Sequence, residues 1–219
     1  MKIAGFKKQS LIDFPGNISS VIFTQGCNFR CDFCHNPELV LPEKFTDVID
    51  ETVIFDYLKK HSKLLTAVCI TGGEPTMHND LPDFIKQIKD LNLKVKLDTN
   101  GTNPQMLETL FSNNLIDAVA MDIKHLLSIE HYNAATGNTV TDTVFKNILL
   151  LIKLIENAGV EYEFRTTVIK GLHTIEQLQE LKQRFGKYYK INNYNPEITL
   201  KNNQNYMPFS QKELEVLID

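Results

Sequence analysis

Short β-rich runs alternate with longer amphipathic runs along most of the chain. Six runs have the short, apolar and β-branched character of strands, and they cover residues 21–24, 67–71, 94–99, 118–123, 162–168 and 188–193. Between them, apolar side chains recur at spacings of three and four residues, which predicts helices over 47–61, 81–91, 104–113, 143–158 and 174–185. This alternation predicts a parallel sheet built from βα units.

Signals at the ends of these runs support several of the helices. Asn103 precedes a proline, a pairing typical of an N-cap followed by proline at the first helical position. Gly159 follows another helical run as a stop signal. Near the C-terminus, Ser210 and Glu213 have the spacing of a capping box and predict a further short helix over 210–218.

No glycine-serine linker, charge block or internal repeat divides the chain, so we expect one domain over residues 1–219. Residues 1–20 contain the turn sequence DFPG at positions 13–16 and have the pattern of an extended or hairpin preface. Residues 21–195 would form a barrel-like core, and residues 196–219 a polar C-terminal tail. We expect both ends of the chain to wrap the edges or the mouth of that core.

The composition is that of a folded globular protein. Of the 219 residues, 42% are hydrophobic and 23% charged, and these proportions exclude the disordered, collagenous and coiled-coil classes. The 23 basic and 27 acidic residues leave a net charge of -4 and a pI of about 5.9. This balance gives no long-range attraction to nucleic acid or to an anionic membrane, so we expect neither as a partner.

The chain lacks the sequence pattern of a secreted or membrane protein. Lys7 and Lys8 interrupt the first apolar stretch before the core of a signal peptide could form. The most hydrophobic run, residues 148–155, contains Lys153 and is far shorter than the roughly 20 residues that span a bilayer. We therefore expect a cytoplasmic protein, in which clustered cysteines hold metal or do redox chemistry rather than form disulfides.

Three of the 4 cysteines lie close together, in the loop after the first predicted strand. Cys27, Cys31 and Cys34 form a C-x3-C-x2-C pattern. Three thiolates on one loop can bind three corners of a cubane iron-sulfur cluster, whereas an ordinary electron-transfer cluster of four irons takes four cysteines. The pattern therefore predicts one open iron, which is useful only when a substrate or cofactor binds there.

A structural zinc site is the alternative interpretation of the same loop. Its fourth ligand would be His35, but a residue adjacent to Cys34 would struggle to reach the same tetrahedral ion, and the spacing differs from common zinc motifs. Cys69 is another candidate ligand. It lies inside the apolar run AVCIT, where cysteine is most often a small buried hydrophobe, so we expect Cys69 in the core.

The C-x3-C-x-aromatic-C loop, with Phe33 as its aromatic residue, resembles the signature of the radical S-adenosylmethionine (SAM) superfamily. The strings LIDFPG, FTQGCNFRCDFCHNPELV, TGGEP and DTNG resemble its glycyl-radical-enzyme activating branch. Within that branch the match is best to anaerobic ribonucleoside-triphosphate reductase activating proteins, with pyruvate formate-lyase activating enzymes as close cousins. The resemblance implies a partial (β/α)6 TIM-like barrel, one 4Fe-4S cluster with three cysteine ligands, and SAM as the cofactor at the open iron.

Polar residues after the second predicted strand match the needs of SAM, which carries an ammonium, a carboxylate and an adenine. Gly72 and Gly73 in TGGEP let the backbone approach a ligand closely, and Glu74 could accept a hydrogen bond from the ammonium. Phe33 would pack against adenine. In barrels of this kind the carboxyl ends of the strands build the site, which favours a functional role for these residues.

Later strand ends carry further candidate cofactor contacts. By resemblance, Asp98, Thr99 and Asp122 help to bind SAM, partly through a monovalent cation beside its carboxylate, and Lys124 contacts the cofactor. Arg165 interrupts the fifth strand, where it could pair with the ligand carboxylate or with Asp122. Strand-end capping is the alternative role for Asp98, Asp122 and Lys124. We expect no catalytic side chain beyond the two cofactors.

The remaining polar candidates carry weaker signals. His35 would hydrogen-bond near the cluster or face substrate. The cousin family has a histidine in a PYH-type segment near the sixth strand, and this chain has Asn195 there instead, which leaves open a cofactor role for Asn195. The other histidines show no metal spacing and are expected on the surface or in loops: His61, His78, His125, His131 and His173.

The activity implied by the resemblance is that of an oxidoreductase. One electron cleaves SAM to methionine and a 5′-deoxyadenosyl radical, which abstracts hydrogen from a glycine of a glycyl radical enzyme, first of all anaerobic ribonucleoside-triphosphate reductase. Reduced flavodoxin or ferredoxin would supply the electron. The alternatives are activation of a pyruvate formate-lyase-like enzyme, a radical SAM enzyme acting on a small molecule, and an iron-sulfur electron carrier without turnover.

Overall fold

The computed structural model describes residues 1–197, 199–201 and 203–218. Its strands form one seven-stranded sheet in chain order: β1 (Ile3–Ser10), β2 (Ser19–Thr24), β3 (Ala67–Gly72), β4 (Lys94–Thr99), β5 (Ala118–Asp122), β6 (Glu161–Val168) and β7 (Tyr189–Asn193). β1 is antiparallel to β2, and every later pair of neighbours is parallel. The sheet is open, with β1 and β7 as its edges. The predicted partial barrel of six parallel strands with a hairpin preface is confirmed.

The described part of the chain contains the helices α1 (Pro37–Val40), α2 (Glu51–His61), α3 (Leu81–Lys89), α4 (Pro104–Ser112), α5 (Ile129–Thr136), α6 (Asp142–Asn157), α7 (Ile175–Phe185) and α8 (Gln211–Ile218). All the predicted helices are present, and only α1 and α5 were not predicted. Within the described ranges, none of these helices is long and apolar enough to cross a membrane.

The predicted helix caps are present in the structure. Asn103 accepts a hydrogen bond from the Met106 N–H at 3.2 Å, at the start of α4. Ser210 and Glu213 hydrogen-bond each other in both directions across the first turn of α8. α6 ends two residues before Gly159. Because such caps contribute ~0.5–2 kcal/mol each, the local sequence sets where these helices begin.

The two faces of the sheet differ in chemistry because side chains alternate along each strand. One face is apolar: Val68 and Ile70 of β3 and Leu97 of β4 are fully buried in the main hydrophobic core. The opposite face lies toward the barrel axis and carries small or charged side chains. Cys69 alternates with Val68 and Ile70, so it lies on this second face, and it is fully buried. It is therefore a core residue, as predicted.

The turn between β1 and β2 covers the amino end of the barrel. Ser10 pairs with Ser19, so the tip between them lies where the parallel strands begin. Phe14 in this tip is buried and packs with Ala67 and Ala118, the first residues of β3 and β5. The DFPG turn of the sequence thus places one aromatic ring under the barrel floor, at the opposite end from the cysteine loop.

Replacing Phe14 by Ala should destabilise the protein by roughly 3 kcal/mol, because the missing ring leaves a cavity under the barrel. Ile12→Ala is the matched control, since it removes a side chain from the same turn that is 78% exposed. It should change the free energy of unfolding by less than about 0.5 kcal/mol. Urea unfolding of both variants measures the two effects, and equal effects would show that the Phe14 ring does not anchor the hairpin.

Candidate cofactor site

A cleft opens at the carboxyl ends of the parallel strands. It encloses about 770 Å³ including its open mouth. The cleft is lined by nearly all of the residues predicted from the sequence: Cys27, Cys31, Phe33, Cys34, Gly72, Gly73, Asp98, Thr99, Asp122, Lys124 and Arg165. Of the predicted set, Glu74 alone does not line it. His35 and Asn100 line the cleft as well.

The three neighbouring thiols lie on a tight loop between β2 and α1. The Cys34 N–H donates to the Cys31 carbonyl at 3.0 Å, and the Phe29 N–H donates to Cys27 Sγ at 3.4 Å. Burial raises the pKa of Cys27 to about 11 and that of Cys31 to about 12, and it also raises the pKa of Cys34. All three are therefore neutral thiols at pH 7 until a metal displaces their protons.

This set of donors fits a cubane cluster. Each cysteine of a cubane binds a different iron, so the sulfurs need not converge on one point. Within the described ranges, no three His, Cys, Asp or Glu side chains converge as the ligands of a single metal ion would. His35 contacts the segment after β7: its Nε2 lies 3.1 Å from the Asn195 carbonyl oxygen, and its ring stacks on Tyr194 at 6.1 Å.

Two carboxylates and two cations meet in the wall of the cleft. The Arg165 guanidinium lies 3.2 Å from Asp98 and 3.1 Å from Asp122, and the Lys124 ammonium lies 2.9 Å from Asp122. Burial raises the pKa of Asp122, but Lys124 and Arg165 outweigh this effect and hold its pKa at about 2. Burial lowers the pKa values of Lys124 and Arg165, and their carboxylate partners more than compensate. Arg165 thus forms the internal ion pair that was one of its two expected roles.

Sequence reasoning missed two charged residues next to this group. Lys96 is buried in β4, with its ammonium 2.6 Å from Asp98 and 3.9 Å from Glu163 of β6. Because the side-chain period of a strand is two, Lys96 and Asp98 share a face, as do Glu163 and Arg165. The signal that could have revealed Lys96 is its position two residues before Asp98 in a strand whose other face is apolar.

The two glycines at the end of β3, Gly72 and Gly73, are required by the packing of the chain itself. A Cβ atom on Gly73 would lie 2.0 Å from the Gly26 carbonyl oxygen, and one on Gly72 would lie 2.5 Å from Thr24 N. Gly72 also has a φ of +112°, which residues with a side chain rarely adopt. The turn after β3 therefore lies directly against the entry to the cysteine loop.

Glu74, predicted to accept a hydrogen bond from the cofactor ammonium, is not among the residues that line the cleft. Its side chain is fully buried. One carboxylate oxygen accepts from the Thr76 N–H at 3.1 Å, the Thr76 hydroxyl at 2.5 Å and the Thr99 hydroxyl at 2.8 Å, and the other accepts from the Asn100 N–H at 2.6 Å. Burial raises the pKa of Glu74, and these four donors oppose that effect. The carboxylate ties the turn after β3 to the turn after β4.

Two histidines expected on the surface or in loops lie in loops but are buried. His125 is 2% exposed and His173 4%, and their ring centroids are 4.6 Å apart. His125 Nδ1 accepts from the N–H of the next residue, so its Nε2–H donates to the Leu172 carbonyl. In the same way His173 accepts from the Ile169 N–H and donates to the Lys124 carbonyl. The pair connects the loop after β5, which carries Lys124, to the loop after β6.

The family model described as the radical SAM superfamily matches residues 21–185. The chain belongs to the radical SAM superfamily. The matched range begins in β2 and ends with α7, so it includes the cysteine loop and the turns that build the cleft. The family resemblance predicted from the sequence is confirmed, and radical SAM proteins use a 4Fe-4S cluster and SAM.

Two relatives identify the branch of the radical SAM superfamily. A protein of Methanocaldococcus jannaschii, provisionally assigned as a glycyl-radical enzyme activating enzyme, is 34% identical over 82% of this chain and 73% of its own length. A pyruvate formate-lyase-activating enzyme of Clostridium pasteurianum is 27% identical, with 87% of each chain covered. Both agree with the predicted activating branch.

A solved radical SAM structure supports the fold. SuiB of Streptococcus suis, bound to S-adenosylmethionine, matches with a TM-score of 0.70 and 19% identity over 91% of this chain and 46% of its own. At this level of identity the likeness shows the fold alone. It agrees with the predicted α/β partial barrel.

Replacing His173 by Gln should make the radical SAM protein less sensitive to acid. Burial lowers the pKa of His173 to about 4, whereas an unfolded histidine titrates near ~6.5. The stability that depends on its neutral ring is therefore fully present above about pH 6.5 and is lost as the pH falls toward 4. Between pH 7 and 5, the wild type should lose roughly 1–2 kcal/mol more free energy of unfolding than the variant does.

Urea unfolding at both pH values measures this difference. His61→Gln, at a half-buried histidine in the last turn of α2, is the matched control and should follow the wild-type curve. If His173→Gln also followed the wild-type curve, the buried ring could not be the group that is kept neutral.

Proposed function

We propose that this radical SAM enzyme generates a glycyl radical on a partner enzyme. The observation that carries the proposal is the placement of three thiols, one buried and two half-buried, beside a compact group of opposite charges in one cleft. The names of the two relatives support the same activity. Thiols alone would equally serve an electron carrier, whereas the charged wall supplies the groups that a zwitterionic cofactor needs.

The cysteine loop would hold the cluster. Cys27, Cys31 and Cys34 would each bind one iron after losing a proton, which leaves the fourth iron without a protein ligand. The loop needs little rearrangement for this because backbone hydrogen bonds already order it. Cys69 takes no part, since it is fully buried within β3.

The charged wall would hold SAM. Lys124 and Arg165 would bind its carboxylate, and both stay charged in the cleft. Because Glu74 does not line the cleft, the ammonium would bind backbone carbonyls of the turn at Gly72 and Gly73. Phe33, which lines the cleft and is 5% exposed, would pack against adenine.

The proposal includes a monovalent cation next to the carboxylate of SAM. Asp98, Thr99 and Asp122 line the cleft together and offer the oxygen atoms that such a cation requires. Arg165 already supplies one positive charge between the two aspartates. The cation would therefore share these oxygens with the guanidinium.

When bound at the three cysteines and the charged wall, the cluster and SAM would supply one-electron chemistry that cleaves SAM to methionine and a 5′-deoxyadenosyl radical, and that radical would take a hydrogen atom from the partner's glycine. The chain's own residues bind and orient the two cofactors and keep water from the reacting atoms. Because a hydrogen atom is transferred, this step needs no general acid or base. Reduced flavodoxin or ferredoxin would supply the electron.

For the partner, we propose anaerobic ribonucleoside-triphosphate reductase. The support is the resemblance of LIDFPG, the cysteine loop, TGGEP and DTNG to the activating proteins of that enzyme. A pyruvate formate-lyase-like enzyme is the second candidate, and the relative from Clostridium pasteurianum favours it.

The first test is the formation of products without a partner. The protein, reconstituted with iron and sulfide without oxygen, should convert SAM to 5′-deoxyadenosine and methionine when a strong reductant is present. Cys31→Ala should reduce the yield at least 100-fold, because a cluster with two cysteine ligands is poorly held. Cys69→Ala is the matched control and should keep both iron content and product yield. Chromatography of the products measures this. If the wild type formed no product, the radical SAM activity would be refuted and an iron-sulfur electron carrier would be the remaining interpretation. If Cys31→Ala still formed product, Cys31 could not be a ligand of the cluster.

The second test identifies the partner. Mixing the reduced protein and SAM with an anaerobic ribonucleoside-triphosphate reductase should give the electron paramagnetic resonance doublet of a glycyl radical. The same mixture with a pyruvate formate-lyase-like enzyme should give no more than a trace. A signal on the second protein alone would reverse the order of the two candidates, and 5′-deoxyadenosine without a radical on either would favour a small-molecule substrate.

A further inference from the structure

A ring of polar side chains connects the turn after β4 to the cysteine loop. Asn100 Nδ2 donates to Asn28 Oδ1 at 2.7 Å, Asn28 Nδ2 donates to Thr102 Oγ1 at 2.9 Å, and Thr102 Oγ1 donates to Asn100 Oδ1 at 2.8 Å. Asn28 is the residue directly after Cys27 in the cysteine loop. No role for these three side chains follows from cofactor binding as described above.

The orientation of the Asn100 amide is determined by its partners. The Thr102 backbone N–H can only donate, and it donates to Asn100 Oδ1 at 3.1 Å. The Asn100 oxygen therefore faces Thr102, and the two N–H groups of Nδ2 face the cysteine loop. One of them bonds Asn28, and the second is directed at Cys27 Sγ, with a nitrogen-to-sulfur distance of 3.9 Å.

A hydrogen bond to a buried carboxylate holds Asn100 in this position. Its backbone N–H donates to the buried carboxylate of Glu74 at 2.6 Å, and its side chain is 5% exposed. The adjacent Thr99 hydroxyl bonds the same carboxylate. The amide is therefore already positioned next to Cys27 in the structure without a cluster.

We propose that Asn100 donates a hydrogen bond to the sulfur of Cys27 and thereby raises the reduction potential of the cluster. An N–H group next to a ligand sulfur stabilises negative charge on that sulfur. The reduced cluster carries one more electron than the oxidised one, so the donor favours the reduced form. Asn100 is thus a positioning and tuning residue that acts through Cys27, as outer-shell partners of metal ligands do.

This inference rests on the proposed cluster binding and not on the identity of the partner enzyme. It is tested by redox titration of the reconstituted protein, in which electron paramagnetic resonance follows the reduced cluster. Asn100→Ala removes the donor, so its midpoint potential should shift to a more negative value than that of the wild type. Asn100→Asp keeps the oxygen that accepts from Thr102 but loses both N–H groups, and it should shift in the same direction and further.

Asn28→Ala is the matched control. It breaks the ring of hydrogen bonds but leaves the Asn100 amide beside Cys27, so its potential should stay close to that of the wild type. Thermal unfolding and iron content, measured for each variant, check that fold and cluster are retained. If Asn100→Ala does not assemble a cluster, the comparison of Asn100→Asp with the wild type decides the question.

Two results would overturn the inference while the proposed function stands. One is that the Asn100 variants keep the midpoint potential of the wild type. The other is that Asn28→Ala shifts the midpoint potential as much as Asn100→Ala does, which would assign the effect to the position of the cysteine loop. A wild-type protein that binds no cluster would overturn the proposed function and this inference with it.

Discussion

The buried carboxylate of Glu74 holds together the two turns that shape the cleft. A charge buried without partners is costly, and this one is stabilised by four donors from the turns after β3 and β4. The first of these turns lies against the cysteine loop at Gly73, and the second carries Asn100 to Cys27. The geometry of the site therefore depends on one side chain that does not line it.

Charge balance is the second organising feature of the barrel interior. Lys96, Lys124 and Arg165 face Asp98, Asp122 and Glu163, so three positive and three negative side chains share one partly closed space. Each charge has a partner of opposite sign, which offsets the cost of removing it from water. The group therefore has no net charge of its own, and it would present both signs of charge to the ammonium and the carboxylate of SAM.

The spacing of apolar residues predicted the strands and most helices, because the buried side chains of each strand and helix recur at regular intervals along the chain. Strand-end residues were also predictable, since the carboxyl ends of parallel strands meet at one edge. The local sequence pattern could not show which polar side chains are already hydrogen-bonded to other parts of the protein. Glu74 meets partners 25 and 26 residues away, and His173 bonds a carbonyl 49 residues away. Such pairings depend on how distant loops meet, so the sequence could not show that the Glu74 carboxylate accepts four hydrogen bonds within the protein.

The raised pKa values of the three clustered cysteines have a consequence for maturation. With their protons in place, Cys27, Cys31 and Cys34 pack against the main hydrophobic core as small apolar side chains. Burial of these neutral thiols costs little, because a protonated cysteine behaves as a small apolar side chain. Under the proposed cluster binding, each of these thiols would release its proton as it binds iron, so insertion of the cluster would itself produce acid.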